Sequence, residues 1–144
     1  MRAILTVVFF DASGEFVPGE YVMGHLVSVF LDNKASAKLV HDPRVDWNTQ
    51  DIVWDKSGVA VQSKTGNAFI KQTMRAHKAV YGGEMSAHQY FRDFAYCDSW
   101  MMPWLLVAEI ISRSDKSLGD LVADHFRKLL VVANRISRSL TQIK

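Results

Sequence analysis

The fold is decided by residues 38–83, which read KLVHDPRVDWNTQDIVWDKSGVAVQSKTGNAFIKQTMRAHKAVYGG. Short apolar runs rich in β-branched residues alternate here with longer amphipathic runs, a pattern that predicts strands alternating with helices. The predicted elements are strands at 38–41, 59–62 and 79–81 and helices at 47–56 and 68–76, with stop signals at Asp42-Pro43, Gly58 and Gly82-Gly83. In the second helix we expect Phe69, Ile70 and Met74 to face inward.

Similar elements continue on both sides of this stretch. They are a buried strand at 4–10, a turn at 11–14, a helix at 20–31, an extended piece at 89–94, a helix at 104–111 entered through Pro103, and a last helix from about residue 118 behind a capping box at 117–120. The alternation predicts the α/β class, here a three-layer α/β/α domain with a small mixed, largely parallel sheet. In such sheets ligands bind outside the carboxyl ends of the strands, so a site is expected in loops 42–46, 63–67 and 82–88.

Length and composition predict one folded domain over residues 1–144. Hydrophobic residues make up 49% of the chain, enough to bury a core, while the formal net charge of +2 gives no electrostatic case for nucleic acid or a membrane as partner. The single cysteine, Cys97, excludes an internal disulfide and fits a reducing cytoplasm, which is the expected location. No apolar stretch reaches the roughly 18 residues of a membrane-spanning helix.

The segment GGEMSAH at residues 82–88 is the most informative one for chemistry. Its two glycines are expected to let the backbone turn sharply, and Glu84, Ser86 and His88 then follow at alternate positions. Because alternate side chains of an extended chain point the same way, these three groups are expected to converge on one polyol, with the carboxylate accepting from two hydroxyls. A polar loop with a helix cap explains the same residues.

Two further segments are candidates for binding an anion. Residues 63–66 precede a helix, so backbone N–H groups and the Lys64 ammonium suit a phosphate, although a plain turn explains the segment equally well. Residues 42–44 offer a phosphate contact through Arg44 or a surface turn, and we favour the turn. The sequence contains no metal-ligand cluster and no Ser-His-Asp pattern, so neither a metal site nor a catalytic residue is assigned.

From about residue 9 to residue 128 the chain resembles the bacterial phosphomannomutase branch of the α-D-phosphohexomutases. The matching stretches are FFDASGEF, HDPRVDWNTQDIV, SKTGNAFIKQTMR, VYGGEMSAHQYFRDFAYCDS, PWLLVAEI and KSLGDLV. The resemblance implies an isolated third, sugar-recognising domain of an enzyme whose four domains surround one cleft. For the whole enzyme it implies an isomerase, an intramolecular phosphotransferase that interconverts mannose 6-phosphate and mannose 1-phosphate.

The resemblance also implies which residues bind substrate. The family's GEMS loop binds hydroxyls of the sugar ring. By resemblance, Glu84 and Ser86 have this role here, and His88 is a nearby polar group. Lys64 matches a lysine of the family's pre-helix loop, which lines the same cleft.

Two positions depart from the family pattern. Asn67 replaces a histidine and cannot carry a proton charge. Trp100 replaces a glycine, and it costs stability if that position has a positive φ. Both changes bear on how a sugar phosphate is bound.

Three parts of the family's machinery are missing from the sequence. They are a phosphoserine loop, an aspartate-rich DGDxDR loop that holds Mg²⁺, and a C-terminal Arg-Ser-Asn-Thr clamp on the substrate phosphate. Catalysis by positioning and charge stabilisation needs these groups. We therefore expect a fragment that carries the sugar-recognition loop, is inactive alone and has no cofactor of its own, whereas the full-length family uses Mg²⁺.

Two alternatives to an incomplete mutase stay open. One is a sugar-phosphate-binding or interaction module, and the other is a subunit completed by other chains. The expected partners are a weakly bound hexose phosphate and a second copy of the chain. Self-association is expected through surface that faces neighbouring domains in the parent enzyme, namely the aromatics near Trp100 and the tail residues Val131, Val132 and Ile136.

Both ends of the resemblance stop abruptly. Codons exist for residues 3–9 that, read in a shifted frame, encode Asp-Phe-Asp-Arg-Cys-Phe, like the family's metal loop. Codons for residues 130–134 likewise encode Pro-Ser-Ser-Gly-Glu, like a segment of the family. The hypothesis is a relic bounded by two frameshifts, with independent recombination or deliberate engineering as the alternatives. Residues 129–144 are then a divergent tail that continues the last helix or frays.

Overall fold

The computed structural model describes residues 8–34, 36–124 and 127 of the chain. In chain order the strands are β1 Phe9–Phe10, β2 Phe16–Val17, β3 Lys38–His41, β4 Val59–Gln62, β5 Tyr81–Gly83, β6 Gln89–Phe91 and β7 Cys97–Asp98. The helices are α1 Gly19–Asn33, α2 Asp46–Asp55, α3 Asn67–His77 and α4 Met101–Ser114, with short 3₁₀ turns at Pro43–Val45 and Arg92–Phe94. Residues 118–124 are also helical.

Five of the strands form one mixed sheet in the order β4-β3-β5-β6-β7. β3 pairs in parallel with β4 and with β5, because a helix crosses over between consecutive parallel strands. β5, β6 and β7 are joined by short connections and therefore pair antiparallel. The α/β class and the mixed sheet are confirmed, and parallel pairing is confined to the β4-β3-β5 half.

Helices cover both faces of this sheet. On one face Leu39, Tyr81 and Phe91 pack with α1, α2 and α4, and on the other Val40 and Tyr90 pack with α3. The division follows from the strand period, since successive side chains point to opposite faces. β4 and β5 flank β3 on opposite sides, so crossovers of the same hand place α2 and α3 on opposite faces. The three-layer prediction is confirmed.

Most predicted elements agree closely with the observed bounds. The predicted strands at 38–41 and 59–62 match β3 and β4, and α1, α2 and α3 lie within two residues of their predicted limits. β2 was not predicted, and it pairs antiparallel with β1 around the predicted turn at 11–14. Within the predicted strand at 4–10, residues 9–10 are strand, while 1–7 lie outside the described residues.

The two glycines at 82–83 are the last residues of β5, so the prediction that they stop the strand and turn the chain is wrong. Neither has a positive φ. A Cβ on Gly82 would lie 2.7 Å from Met74 Sδ and 3.1 Å from Ile70 Cγ2, and one on Gly83 would lie 2.6 Å from Met23 Sδ. Glycine is needed here because α3 and α1 approach the strand closely from opposite faces.

Two smaller predictions are also wrong. The chain turns out of α2 at Ser57, whose φ of 56° is left-handed, and not at Gly58. A Cβ on Gly58 would lie 2.5 Å from Leu31 Cδ2, so glycine serves close packing there too. Phe69 is about half exposed, because Ile70 holds the sheet-facing position of that turn of α3.

The predicted capping box precedes the helical residues 118–124. The Asp120 N–H donates to Ser117 Oγ at 3.1 Å, and the Ser117 N–H donates to Asp120 Oδ2 at 3.2 Å. The tail at 129–144, like residues 1–7, lies outside the described part of the chain. Within the described ranges, no helix is both long and apolar enough to cross a membrane.

Candidate functional site

The loops that follow β3, β4 and β5 begin side by side at one edge of the sheet, because the last residues of the three strands are level in the register. The first residue of each loop is a buried polar one: Asp42, Ser63 and Glu84. A buried polar side chain costs free energy unless it is hydrogen-bonded. The partners of these three side chains therefore determine what this edge can bind.

The loop at 84–88 is a tight hairpin connection. The Glu84 N–H donates to the His88 carbonyl at 3.0 Å, and the Ala87 N–H donates to the Glu84 carbonyl at 3.0 Å. Ala87 closes the turn with a left-handed φ of 64°. The expectation of an extended segment whose alternate side chains point the same way is therefore wrong. Glu84 and His88 each have different hydrogen-bond partners.

Glu84 is held by two protein hydroxyls. The Tyr90 hydroxyl donates to Oε1 at 2.8 Å, and Ser86 Oγ donates to Oε2 at 3.3 Å. Burial and then the bond to Glu84 raise the pKa of Tyr90 above its ordinary value, so the phenol remains a donor at physiological pH. Glu84 is only 4% exposed, and a carboxylate has about four acceptor positions, so the two protein hydroxyls fill about half of them.

His88 is oriented by an aspartate on β7. Its Nδ1 lies 2.6 Å from Asp98 Oδ2, while Asp98 Oδ1 accepts from the Gln89 N–H at 3.0 Å. An imidazole that donates from Nδ1 to a carboxylate has its tautomer and ring orientation set by that bond. Nε2 is then the atom of His88 that can serve a ligand.

Asp42 ties the first loop to the third. Its fully buried carboxylate accepts from the Arg44 N–H at 2.9 Å, from Arg44 Nε at 3.0 Å and from the Met85 N–H at 3.4 Å. The hydrogen bond that Arg44 donates to Asp42, then the charges of Asp42 and Glu84, raise the pKa of Arg44 above its ordinary value. The surface turn that the sequence favoured over a phosphate contact for this segment is present at 43–45. It holds the half-exposed Arg44 close enough to Glu84 for their charges to interact.

Lys64 lies in the middle loop of the same edge and is exposed. Its Nζ sits 5.8 Å from the centroid of the Phe69 ring. Asn67 opens α3 with an exposed side chain, and Gly66 before it has a φ of 119°. Ser63 Oγ, the buried group of this loop, lies 3.0 Å from Thr73 Oγ1 and so fastens the loop to α3.

Trp100 is not strained. It has φ −94° and ψ −21° at the start of α4, which is an ordinary right-handed helical conformation. The stability cost expected for a positive φ at this position therefore does not apply. About half of its surface is exposed to solvent.

A cavity of about 200 Å³ lies behind the loop at 84–88, against the β1–β2 hairpin. Apolar side chains such as Phe9, Val17 and Pro103 make up most of its lining. Sugar hydroxyls need polar partners when they leave water. The cavity does not suit a sugar, and the candidate site is the polar edge in front of the loop.

Comparisons with known proteins match this chain to one family. A family profile described as phosphoglucomutase/phosphomannomutase, alpha/beta/alpha domain III, matches residues 18–129. The chain is 58% identical over 115 residues to a phosphomannomutase of Escherichia coli strain K12, and 53% identical over 120 residues to a protein of Xanthomonas campestris pv. campestris strain B100 named phosphohexose mutases. The matches cover 80% and 83% of this chain but 25% and 27% of those proteins, so the chain spans about a quarter of their length.

Solved structures agree with the fold. A crystal structure of a possible phosphomannomutase from Thermus thermophilus superposes with a TM-score of 0.76 at 17% identity, covering 83% of this chain and 28% of that one. A phosphoglucomutase/phosphomannomutase family protein from Burkholderia thailandensis gives a TM-score of 0.58 at 25% identity, covering 65% of this chain and 21% of that one. At 17% identity the first likeness supports the fold alone.

Proposed function

The chain belongs to the phosphoglucomutase/phosphomannomutase family through its α/β/α domain III, and from that premise we propose that it is a hexose-phosphate recognition domain without turnover of its own. The observation that carries the proposal is the level edge of three loops, each opening on a buried polar side chain. Relatives named phosphomannomutase supply the class of ligand. We place the protein in the reducing cytoplasm, because its one thiol, Cys97, is exposed.

Each polar group of the edge has a task in this proposal. Glu84 offers its remaining acceptor positions to two ring hydroxyls, because Tyr90 and Ser86 occupy the others. His88 presents Nε2 to a further hydroxyl. Arg44 and Lys64 supply positive charge for the phosphate, and an arginine suits that group through paired N–H donors.

The purified chain is expected to show no conversion of mannose 6-phosphate, mannose 1-phosphate or the glucose equivalents. Mg²⁺ and a bisphosphorylated sugar activator do not change this expectation. Phosphoryl transfer needs a group that carries the phosphoryl and a metal site that neutralises its charge. The resemblance assigns both to loops that the sequence lacks. A coupled assay checks this, and turnover above a matched blank that is lost in Glu84→Ala contradicts it.

Mannose 1-phosphate is expected to bind with a dissociation constant near or above 1 mM. Two or three hydrogen bonds, each worth about 0.5–1.5 kcal/mol net, give between about 1 and 4.5 kcal/mol, which corresponds to affinity in the millimolar range or weaker. An exposed lysine adds a contact that salt screens. An NMR titration of the labelled chain is expected to shift amide signals most strongly between Gly83 and His88.

Matched variants locate the binding site. Glu84→Ala combined with Ser86→Ala is expected to abolish the shifts, whereas Ser112→Ala leaves them unchanged. Ser112 is an exposed serine on α4, outside the three loops of the candidate site, and its hydroxyl donates to the Ala108 carbonyl of its own helix. Low-micromolar binding, or millimolar binding that survives the double substitution, rules out this loop as the site.

A further inference from the structure

Helix α4 presents apolar side chains on two sides. Pro103 and Val107 are buried against the rest of the domain. The side chains on the solvent side of its first half are each 45–54% exposed: Trp100, Met101, Trp104 and Leu105. Residues three and four apart lie on one face of a helix, so these four form one patch, called here the α4 patch.

An open groove runs beside the α4 patch. It has a volume of about 340 Å³ and lies between α4 and the β1–β2 hairpin, with Trp104, Ala108 and Ile111 on one wall and Phe10 on the other. Phe10 is itself more than half exposed. Ala108 has a short side chain one turn beyond Trp104, so one helix carries protruding residues followed by a gap.

The size of the α4 patch suits a protein partner. Aromatic side chains bury about 150–250 Å² each, so two half-exposed tryptophans, together with the smaller Met101 and Leu105, offer on the order of 400 Å². A patch of roughly 300–600 Å² on a monomer is often functional, and a standard interface buries about 800 Å² per partner. The α4 patch supplies about half of that area, and the groove and a polar rim supply the rest.

The ion pair beside the α4 patch does not oppose pairing of the patch with its own copy. Glu109 and Arg113 follow Leu105 on the same side of α4, and they are joined to each other at 2.8 Å. Like charges that meet across a two-fold axis oppose association. The Glu109–Arg113 pair itself carries no net charge, so it does not repel the same pair on a second copy.

We propose that the α4 patch is an isologous interface with a second copy of this chain. A two-fold axis across α4 near Trp104 and Leu105 makes the two copies of the helix antiparallel. That arrangement sets Met101 of each copy opposite Ala108 of the other. The long Met101 side chain then lies against the short Ala108 side chain in both symmetry-related contacts. A face that carries both features at this spacing is complementary to itself.

The oligomeric state of the full chain tests the proposal. Sedimentation equilibrium is expected to give a dimer at about 100 μM, and Trp104→Glu is expected to raise the dissociation constant at least about 100-fold, since a central aromatic is lost and a charge is buried in each copy. Trp54→Glu is the matched control, because Trp54 is 86% exposed and lies on a different helix, α2. A monomeric parent, or an equal effect of the two substitutions, overturns the proposal.

A cross-link tests the arrangement without relying on a destabilising change. In a Cys97→Ser background, Leu105→Cys places a thiol near the two-fold axis, and mild oxidation is expected to give a disulfide-linked dimer. Gln72→Cys, at an exposed position of α3, is the control and is expected to stay monomeric. No cross-link through residue 105, or equal cross-linking through both positions, overturns the antiparallel arrangement. Circular dichroism of each variant confirms that it is folded.

Discussion

Replacing Gly82 by valine is expected to lower the free energy of unfolding by about 3 kcal/mol. A Cβ added at this position would lie 2.7 Å from Met74 Sδ and 3.1 Å from Ile70 Cγ2, and valine adds two methyl groups beyond that Cβ. Met74 is flexible, but both neighbours are fully buried, so little room is available for them to move. Chemical denaturation monitored by circular dichroism measures the loss.

Two further variants separate crowding from backbone strain. Gly14→Ala is expected to cost only about 1 kcal/mol, because Gly14 has a φ of 86° with nothing within 4 Å of an added Cβ. Adding Met74→Ala to Gly82→Val makes room, so the double variant is expected to be at least about 1 kcal/mol more stable than the sum of the single losses predicts. Strict additivity, or a loss below about 1 kcal/mol for Gly82→Val, contradicts the crowding argument.

The glycines show where the sequence pattern is ambiguous. Turns and close helix–strand contacts both exclude a Cβ, so a Gly-Gly pair indicates either one. The strands at 38–41 and 59–62 were predicted correctly because a short, β-branched apolar run between two turn signals is typical of a buried strand. Ser57 has a left-handed φ next to Gly58, and the sequence offers no sign that the serine, and not the glycine, makes the turn.

The loops of the candidate site could be located from the sequence, but their hydrogen bonds could not. The rule for carboxyl ends of strands selected the loops at 42–46 and 63–67, and the third begins two residues later than expected, at 84. The partners Tyr90 and Asp98 were missed, since they lie on β6 and β7 and reach the loop only through antiparallel pairing. Tyr90 could have been found from the sequence, because a hairpin in which Gly83 pairs with Gln89 sets Tyr90 opposite Gly82, next to the loop.

Replacing Asp42 by alanine is expected to lower the free energy of unfolding by about 3 kcal/mol. The carboxylate is fully buried and accepts from two backbone N–H groups, those of Arg44 and Met85, besides the Arg44 side chain. Hydrogen bonds to a charged group contribute about 1.5–3 kcal/mol each, and part of this is recovered because water reaches the half-exposed Arg44. Denaturation of the variant measures the loss.

Arg44→Met separates the two roles of that carboxylate. It removes the ion pair and keeps both backbone bonds. Because the guanidinium end of the pair is about half exposed, its cost is expected to be smaller than that of Asp42→Ala. Asp42→Ala also releases the Met85 N–H, so faster hydrogen exchange at Met85 and loss of the mannose 1-phosphate shifts at 83–88 are expected in that variant alone. If Arg44→Met costs as much as Asp42→Ala, the ion pair holds the loops. If it does not, the buried Asp42 carboxylate shapes this edge through its bonds to the backbone, and Arg44 remains available for the proposed phosphate contact.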